Sequence, residues 1–287
     1  MHIDSLVTDW FADAARDLPW RRPEFSPWGI LVSEVMLQQT PALRVIDPLA
    51  QWLRRWPSPT DLAAEPAGEA VRAWGRLGYP RRALRLHACA VAIVERHGGV
   101  VPDSIEDLLA LPGIGDYTAR AVAAFAYGTR CPVVDTNVRR VLARAIGGQE
   151  QPAPPSTARD LAAMAALLPE DPPAAQRFNA GMMELGALVC TASSPRCQAC
   201  PIAGLCAWRQ AGYPQYTGAR RAVQKRYEGS DRQVRGIILH ELRAVERAVP
   251  GVDLEALWPD AAQRDRALAG LVADGLAVPV GDGYRLP

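Results

Sequence analysis

Four cysteines, Cys190, Cys197, Cys200 and Cys206, fall within 17 residues with the spacing C-x6-C-x2-C-x5-C. A chain segment this short that carries four thiols is tied either to itself or to a metal. In a reducing compartment the metal reading comes first. Structural zinc sites usually pair two separated C-x2-C knuckles. Here one C-x2-C is flanked by a single cysteine on each side, so one loop wraps one centre. Four thiolates from one loop suit one [4Fe–4S] cluster, with zinc as the alternative. The other two cysteines, Cys89 and Cys131, are isolated among apolar residues and read as core packing.

The segment leading to that loop is patterned as helices. Apolar residues recur at three and four spacing from residue 1 to about 208, punctuated by Pro57, Pro66, Pro102 and Pro112. The spacing predicts helices over 3–15, 27–38, 43–55, 59–63, 68–74, 80–96, 104–110, 116–127, 135–145, 157–167, 174–188 and 201–210. With 49% hydrophobic residues a packed core is within reach. No apolar run approaches the roughly 18 residues of a membrane span. The N-terminus carries Asp4 and Asp9 and no basic stretch, which excludes a secretory signal and points to the cytoplasm.

Residues 209–230 differ, with Arg209, Arg220, Arg221, Lys225 and Arg226 against the single acid Glu228. They read as a basic linker. Beyond it, helices are expected near 231–248, 253–257 and 261–274. Residues 276–280 and 284–286 then flank Gly281-Asp282-Gly283 as a hairpin, which suggests a winged helix. This last unit has seven arginines and nine acids, a balance of −2, unlike the basic surface usual for DNA binding. It is expected to pack on the rest of the chain or on a protein partner.

Two kinds of position carry chemistry. Leu111-Pro112-Gly113-Ile114-Gly115-Asp116 separates two helical patterns. Its glycines permit a tight turn, and the next helix would offer unpaired N–H groups and a positive dipole end to a phosphate. The bland reading is a tight helix–helix turn, but Leu108, Leu111 and Ile114 before Thr118-Ala119 make it a helix-hairpin-helix DNA motif. Two carboxylates stand apart from solvent patterning. Glu34 lies on an apolar helix in Ser33-Glu34-Val35-Met36-Leu37-Gln38-Gln39-Thr40. Asp135 precedes a helix in Val133-Val134-Asp135-Thr136-Asn137, where an N-cap is the ordinary role.

These segments, with Phe178-Asn179 and Met183-Glu184-Leu185-Gly186-Ala187 ahead of Cys190, resemble the endonuclease III (helix-hairpin-helix) superfamily, and within it the MutY-type adenine glycosylases. The resemblance covers residues 5 to about 210. It implies an all-α, two-domain helix-hairpin-helix DNA glycosylase with a [4Fe–4S] loop, here followed by the small winged-helix-like unit. The implied boundaries are 1–20 with 131–213 for the cluster domain, 21–130 for a six-helix barrel, 214–230 for the linker and 231–287 for the last unit.

It also implies a monomeric, nucleoid-associated repair enzyme. Its partner would be double-stranded DNA with adenine mispaired with 8-oxoguanine or guanine, with no membrane involved. Glu34 would protonate the departing adenine and needs burial to hold its proton, while Asp135 would stay ionised and stabilise the sugar cation. Asn137 matches the polar partner of that Asp and Tyr117 a residue beside the sugar. Gln38, Gln39, Thr40, Tyr79, Pro80, Gly113, Gly115 and Thr118 would meet DNA.

Tyr117 stands where the lyase branch has a Schiff-base lysine, and the chain's one lysine is Lys225, so hydrolysis without a lyase step is expected. Three departures mark the chain: Pro80 follows Tyr79 where relatives have a second Tyr, Ala180 replaces a polar residue, and no NUDIX-like domain follows. A mismatch thymine/uracil glycosylase of the same superfamily is the first alternative and an iron–sulfur DNA-binding regulator the second.

Overall fold

The computed structural model describes residues 2–218 and 226–287. Arg220, Arg221 and Lys225 of the expected basic linker lie outside the described residues. Arg226 is exposed. Fifteen helices are present among the described residues. They are α1 (Ile3–Ala14), α2 (Pro27–Leu37), α3 (Ile46–Arg55), α4 (Pro59–Ala63), α5 (Ala67–Trp74), α6 (Arg81–His97), α7 (Ile105–Leu109), α8 (Asp116–Tyr127), α9 (Thr136–Ala145), α10 (Thr157–Ala165), α11 (Pro172–Leu188), α12 (Ala207–Gln210), α13 (Asp231–Ala244), α14 (Gly251–Glu255) and α15 (Ala261–Ala273). None is long and apolar enough to cross a membrane.

The chain divides into two compact units. The first comprises residues 1–27, 103–105 and 115–220, the second 28–102, 106–114 and 221–287. This line differs from the boundaries expected from sequence, since α8 joins the cluster half and the C-terminal segment joins the barrel half.

In the first unit α11 is the central helix, packed by α1 and α9. Asp171 caps it, accepting from the Ala174 N–H at 2.9 Å, and a proline at its start needs no donor. Its buried stripe of Ala175, Phe178, Met182 and Leu185 meets Val7 of α1 and Val138, Val141 and Leu142 of α9. Glu184 is 1% exposed on that helix. It accepts from Arg16 at 2.9 and 2.7 Å and from Arg21 at 3.2 and 2.8 Å. Burial alone would raise its pKa, but the two guanidiniums pull it down to about 2.

In the second unit α6 packs on α4 and α5. Trp52 sits edge-on to Trp56 and Trp74, with ring centroids 4.7 and 5.7 Å away. Cys89 is fully buried here, as Cys131 nearly is in the first unit. The C-terminal segment pairs α13 with α15 and closes with a small antiparallel sheet. Its strands are β1 (Val249–Pro250), β2 (Val278–Val280) and β3 (Gly283–Arg285), in the order β1-β3-β2.

The expected hairpin, β2 with β3, is therefore two strands of a three-stranded sheet. A two-residue strand carries no alternation of its own, so Val249 pairs with Tyr284 through tertiary structure alone. Three helices are also shorter than the patterning suggested, and the one expected near 231–248 ends at Ala244. The 43–55 stretch opens as a 3-10 turn at Ala42–Arg44, and the 201–210 stretch is helical only from Ala207.

Candidate active site and cluster loop

Asp135 occupies the N-cap of α9. Its Oδ1 accepts from the Val138 N–H at 2.7 Å and its Oδ2 from Asn137 Nδ2 at 2.9 Å. The carboxylate therefore closes the first turn of the helix that its own sequence begins. Burial raises its pKa above the ordinary aspartate value. The Val138 N–H, the Asn137 amide and the charge of Arg140 oppose that rise.

Asn137 is held from its other side, where its Oδ1 accepts from Arg140 Nη2 at 2.8 Å. Arg140 also donates to the Gly186 carbonyl at 2.7 Å and, through Nε, to the Cys190 carbonyl at 2.7 Å. A continuous polar chain thus runs from Asp135 to the first cysteine of the loop. Gly186 is required for it, because a Cβ there would stand 2.7 Å from Asn137 Cβ and push α11 off α9. Tyr117 is half-buried on α8 in this same unit.

All four loop cysteines line one cavity, together with Val141, Arg144, Leu185, Ile202 and Trp208. Among the described residues no three His, Cys, Asp or Glu side chains converge as they would on a single ion. The thiols stand around a space instead, in a setting of apolar side chains with Arg144 and Arg209 among them. Burial pushes the Cys200 thiol up to about 11 and raises that of Cys190. Arg144 is 1% exposed, stacks on Trp208 at 4.8 Å and approaches Cys190 Sγ at 3.5 Å. Its guanidinium also donates to the Glu150, Thr191 and Ala192 carbonyls at 3.0, 2.7 and 3.1 Å, so it pins the loop to α9. Sulfur donors set around a cavity beside a fixed cation are a donor set suited to an anionic thiolate cluster.

Glu34 belongs to the second unit and is 3% exposed on α2, a helix buried from Trp28 to Met36. The segment after it turns sharply: Gln38 is half-buried, Gln39 is exposed with φ +55°, and Thr40 is buried. Tyr79 is exposed with φ +47°, and half-buried Pro80 follows it. Between these two turns lies Arg82, 6% exposed, which no local motif marks as functional. It was readable as the one cation on the apolar stripe of α6 shared by Leu86, Cys89 and Ile93. Arg144 was equally readable, three residues from Val141 on α9.

The hairpin is formed as the glycines demand. Gly113 has φ +78°, and a Cβ there would lie 2.7 Å from Arg85 Cβ. Gly115 is the N-cap of α8 and offers no side-chain oxygen to its first turn. Both glycines are exposed, whereas Thr118 is 2% exposed. Asp116 in that first turn is paired with Arg120 at 3.2 Å.

Residues 32–166 match the HhH-GPD superfamily of base excision DNA repair proteins, and residues 190–206 match the iron–sulfur binding domain of endonuclease III. The chain is 54% identical to an adenine DNA glycosylase of Mycobacterium tuberculosis over all of its own length and 94% of the relative's. It is 56% identical to one of Mycolicibacterium smegmatis over 96% of its length and 93% of the relative's. A thermostable thymine-DNA glycosylase structure matches with TM-score 0.67 at 28% identity, covering 72% of this chain and 95% of that one.

Proposed function

We infer that this chain, which belongs to the HhH-GPD superfamily of base excision DNA repair proteins, is an adenine DNA glycosylase that cuts the N-glycosidic bond of adenine mispaired with guanine or 8-oxoguanine. The observation that carries the reading is the state of Asp135, a carboxylate fixed by two donors and a nearby cation at the head of α9.

Adenine leaves poorly as an anion. Proton donation to the base by Glu34 lets the C1′–N9 pair of electrons depart with a neutral leaving group. The sugar then carries oxocarbenium character, which an ionised carboxylate stabilises until water adds at C1′. Asp135 is the group for that second task, with Asn137 holding it and Tyr117 set beside the sugar. Adenine must first leave the duplex stack. The duplex would be met by the exposed residues Gln39, Tyr79, Gly113 and Gly115, with Gln38 and Pro80 at their side. Buried Thr40 and Thr118 would support those turns from beneath. The loop cysteines would hold one [4Fe–4S] cluster, which would tie the loop down beside α9 and α11. The protein would act as a monomer.

The thymine-glycosylase reading is weaker, since that likeness is 36–38% over 67–69% of the chain against 54–56% over nearly all of it for the adenine enzymes. A single-turnover assay on duplexes pairing A with G, 8-oxoguanine or C, beside T·G and U·G, separates the two. Release of adenine leaving an abasic strand that breaks only after alkali is expected. Release of thymine or uracil with adenine untouched would overturn the assignment.

A further inference from the structure

Arg82 has no carboxylate partner among the described residues, although it is almost wholly buried. A buried cation is costly unless its donors are satisfied, and here backbone carbonyls and one hydroxyl take its two terminal nitrogens, while Nε has no partner. Nη1 donates to the Val35, Met36 and Gln38 carbonyls at 2.8, 3.0 and 2.6 Å. These are carbonyls at the C-terminal end of α2, where the helix dipole favours a cation. Nη2 donates to Thr40 Oγ1 and the Gly78 carbonyl, both at 3.1 Å. The guanidinium lies 5.1 Å from the Trp74 ring centroid and 5.6 Å from that of Tyr79. Trp74 Nε1 adds a second donor to the Gly78 carbonyl at 2.9 Å.

One planar fork therefore ties together two turns that are distant in sequence. Each turn contains a non-glycine residue in the left-handed region, Gln39 at φ +55° and Tyr79 at φ +47°. Such residues cost roughly 1–3 kcal/mol each and persist only where their surroundings over-determine them. Tyr79 is restricted further because a proline follows it. The strain presents Gln39 and Tyr79 outward, both exposed, on either side of the buried clasp.

We propose that Arg82 is the positioning residue for opposite-base selection: its guanidinium holds Gln39 and Tyr79 in their left-handed conformations, so that these two exposed side chains are set to meet the base across from the excised one. This rests on the glycosylase reading above, which places those turns on DNA. Lysine cannot substitute, because an ammonium is a point donor and cannot span both turns as a fork does.

The test compares wild type with Arg82→Lys and with Trp74→Phe, which removes the shared bond to Gly78 and part of the ring over the guanidinium. Each loaded enzyme is assayed in single turnover on A·G, A·8-oxoguanine and A·C duplexes. Amide exchange is followed over residues 38–40 and 77–80. Arg82→Lys is expected to compress the rate ratios between opposite bases by at least about tenfold, the scale of losing a charge-assisted hydrogen bond. Exchange should rise in those two turns and not in α9 or the cysteine loop. Trp74→Phe should do the same to a smaller degree, and it carries the test if Arg82→Lys fails to fold. An equal fall on all three duplexes with the ratios intact would reduce Arg82 to a structural residue and overturn the proposal. Unchanged exchange in both turns would do so as well. If wild type proved to release thymine instead, the function reading would fall, and the clasp would still be decided by the exchange measurement.

Discussion

Asn137 Nδ2 donates to Asp135 Oδ2 at 2.9 Å while its own Oδ1 accepts from Arg140, so the amide is oriented and cannot flip without losing both bonds. The carboxylate is thereby given a donor that favours its ionised form against the burial that opposes it. The Arg140 link to the Cys190 carbonyl extends this control to the cysteine loop.

The pH dependence follows with a definite sign. Asp135 must be ionised, so activity is lost on the acid side as it takes up a proton. Asn137→Ala removes a bond that lowers its pKa, and Arg140→Met removes a charge that does the same. Both variants should move the acid limb of kcat/KM to higher pH, with rates near neutrality falling by roughly tenfold to a hundredfold, the scale of losing a hydrogen bond to a charged group. An acid limb that stayed in place in both variants would detach Asp135 from that limb.

Glu34→Gln and Asp135→Asn should each nearly abolish base release while duplex binding survives. Glu34→Gln keeps the shape of a buried side chain but has no proton to give, and Asp135→Asn keeps the N-cap acceptor but not the charge. Single-turnover rates beside gel-shift affinities separate the two effects. Excision like wild type by either variant removes that residue from the mechanism.

Much of this was legible in local sequence. Cys190 to Cys206, the Gly113 turn and the Asp135 cap are each written in a few adjacent residues, because backbone conformation and metal-loop closure are local problems. The residues that escaped notice act across the chain. Arg82 reaches a turn more than forty residues away, and Glu184 meets Arg16 and Arg21 more than one hundred and sixty away. Polarity on an apolar stripe flags such residues but does not name their partners. The strand at Val249 is the same case, since only Tyr284 opposite makes it a strand.

Glu184 gives a stability prediction. Its pKa falls from 4.5 to about 2 on folding, a difference worth roughly 3 kcal/mol. Because the folded value is the lower one, that contribution is complete above about pH 4.5 and is lost as the pH falls from there towards about 2. Denaturant titrations should show wild type losing stability over this interval. Glu184→Gln should be about 3 kcal/mol less stable near neutrality, with a flatter acid profile, since it leaves two guanidiniums facing a neutral amide. Parallel acid profiles for the two proteins would assign the acid loss to other groups.

The cluster loop makes a prediction about composition. Protein purified without oxygen should be brown and carry about four irons, as one cubane requires. Arg144→Met should lower cluster occupancy, since it frees the loop at two carbonyls, Thr191 and Ala192, and withdraws the cation beside Cys190. Stoichiometric zinc with no iron would replace the cluster by a structural zinc site.

The final prediction concerns the C-terminal segment, whose balance of acids argued against DNA and for packing on the rest of the chain. It is seated on α5 and α6. The Gly68 N–H donates to the Pro287 carbonyl at 2.7 Å, Arg243 Nε donates to the Val71 carbonyl at 2.9 Å, and Arg72 returns a bond to the Arg243 carbonyl. Asp274 pairs with Arg81 at 3.2 Å, two residues from Tyr79. Arg243 is buried deeply enough that its pKa is pulled down to about 10, so it acts as a structural donor in this seam. Gly68→Ala would place a Cβ 2.4 Å from the Pro287 oxygen and should lift the last residues away. Arg243→Met should cost about 2 kcal/mol through the carbonyl it leaves unpaired. In both variants limited proteolysis should clip the chain before residue 231 faster than in wild type, while iron content stays unchanged because the cysteine loop belongs to the other unit. Protease resistance equal to wild type in both would show that the seam contributes nothing to holding the segment in place.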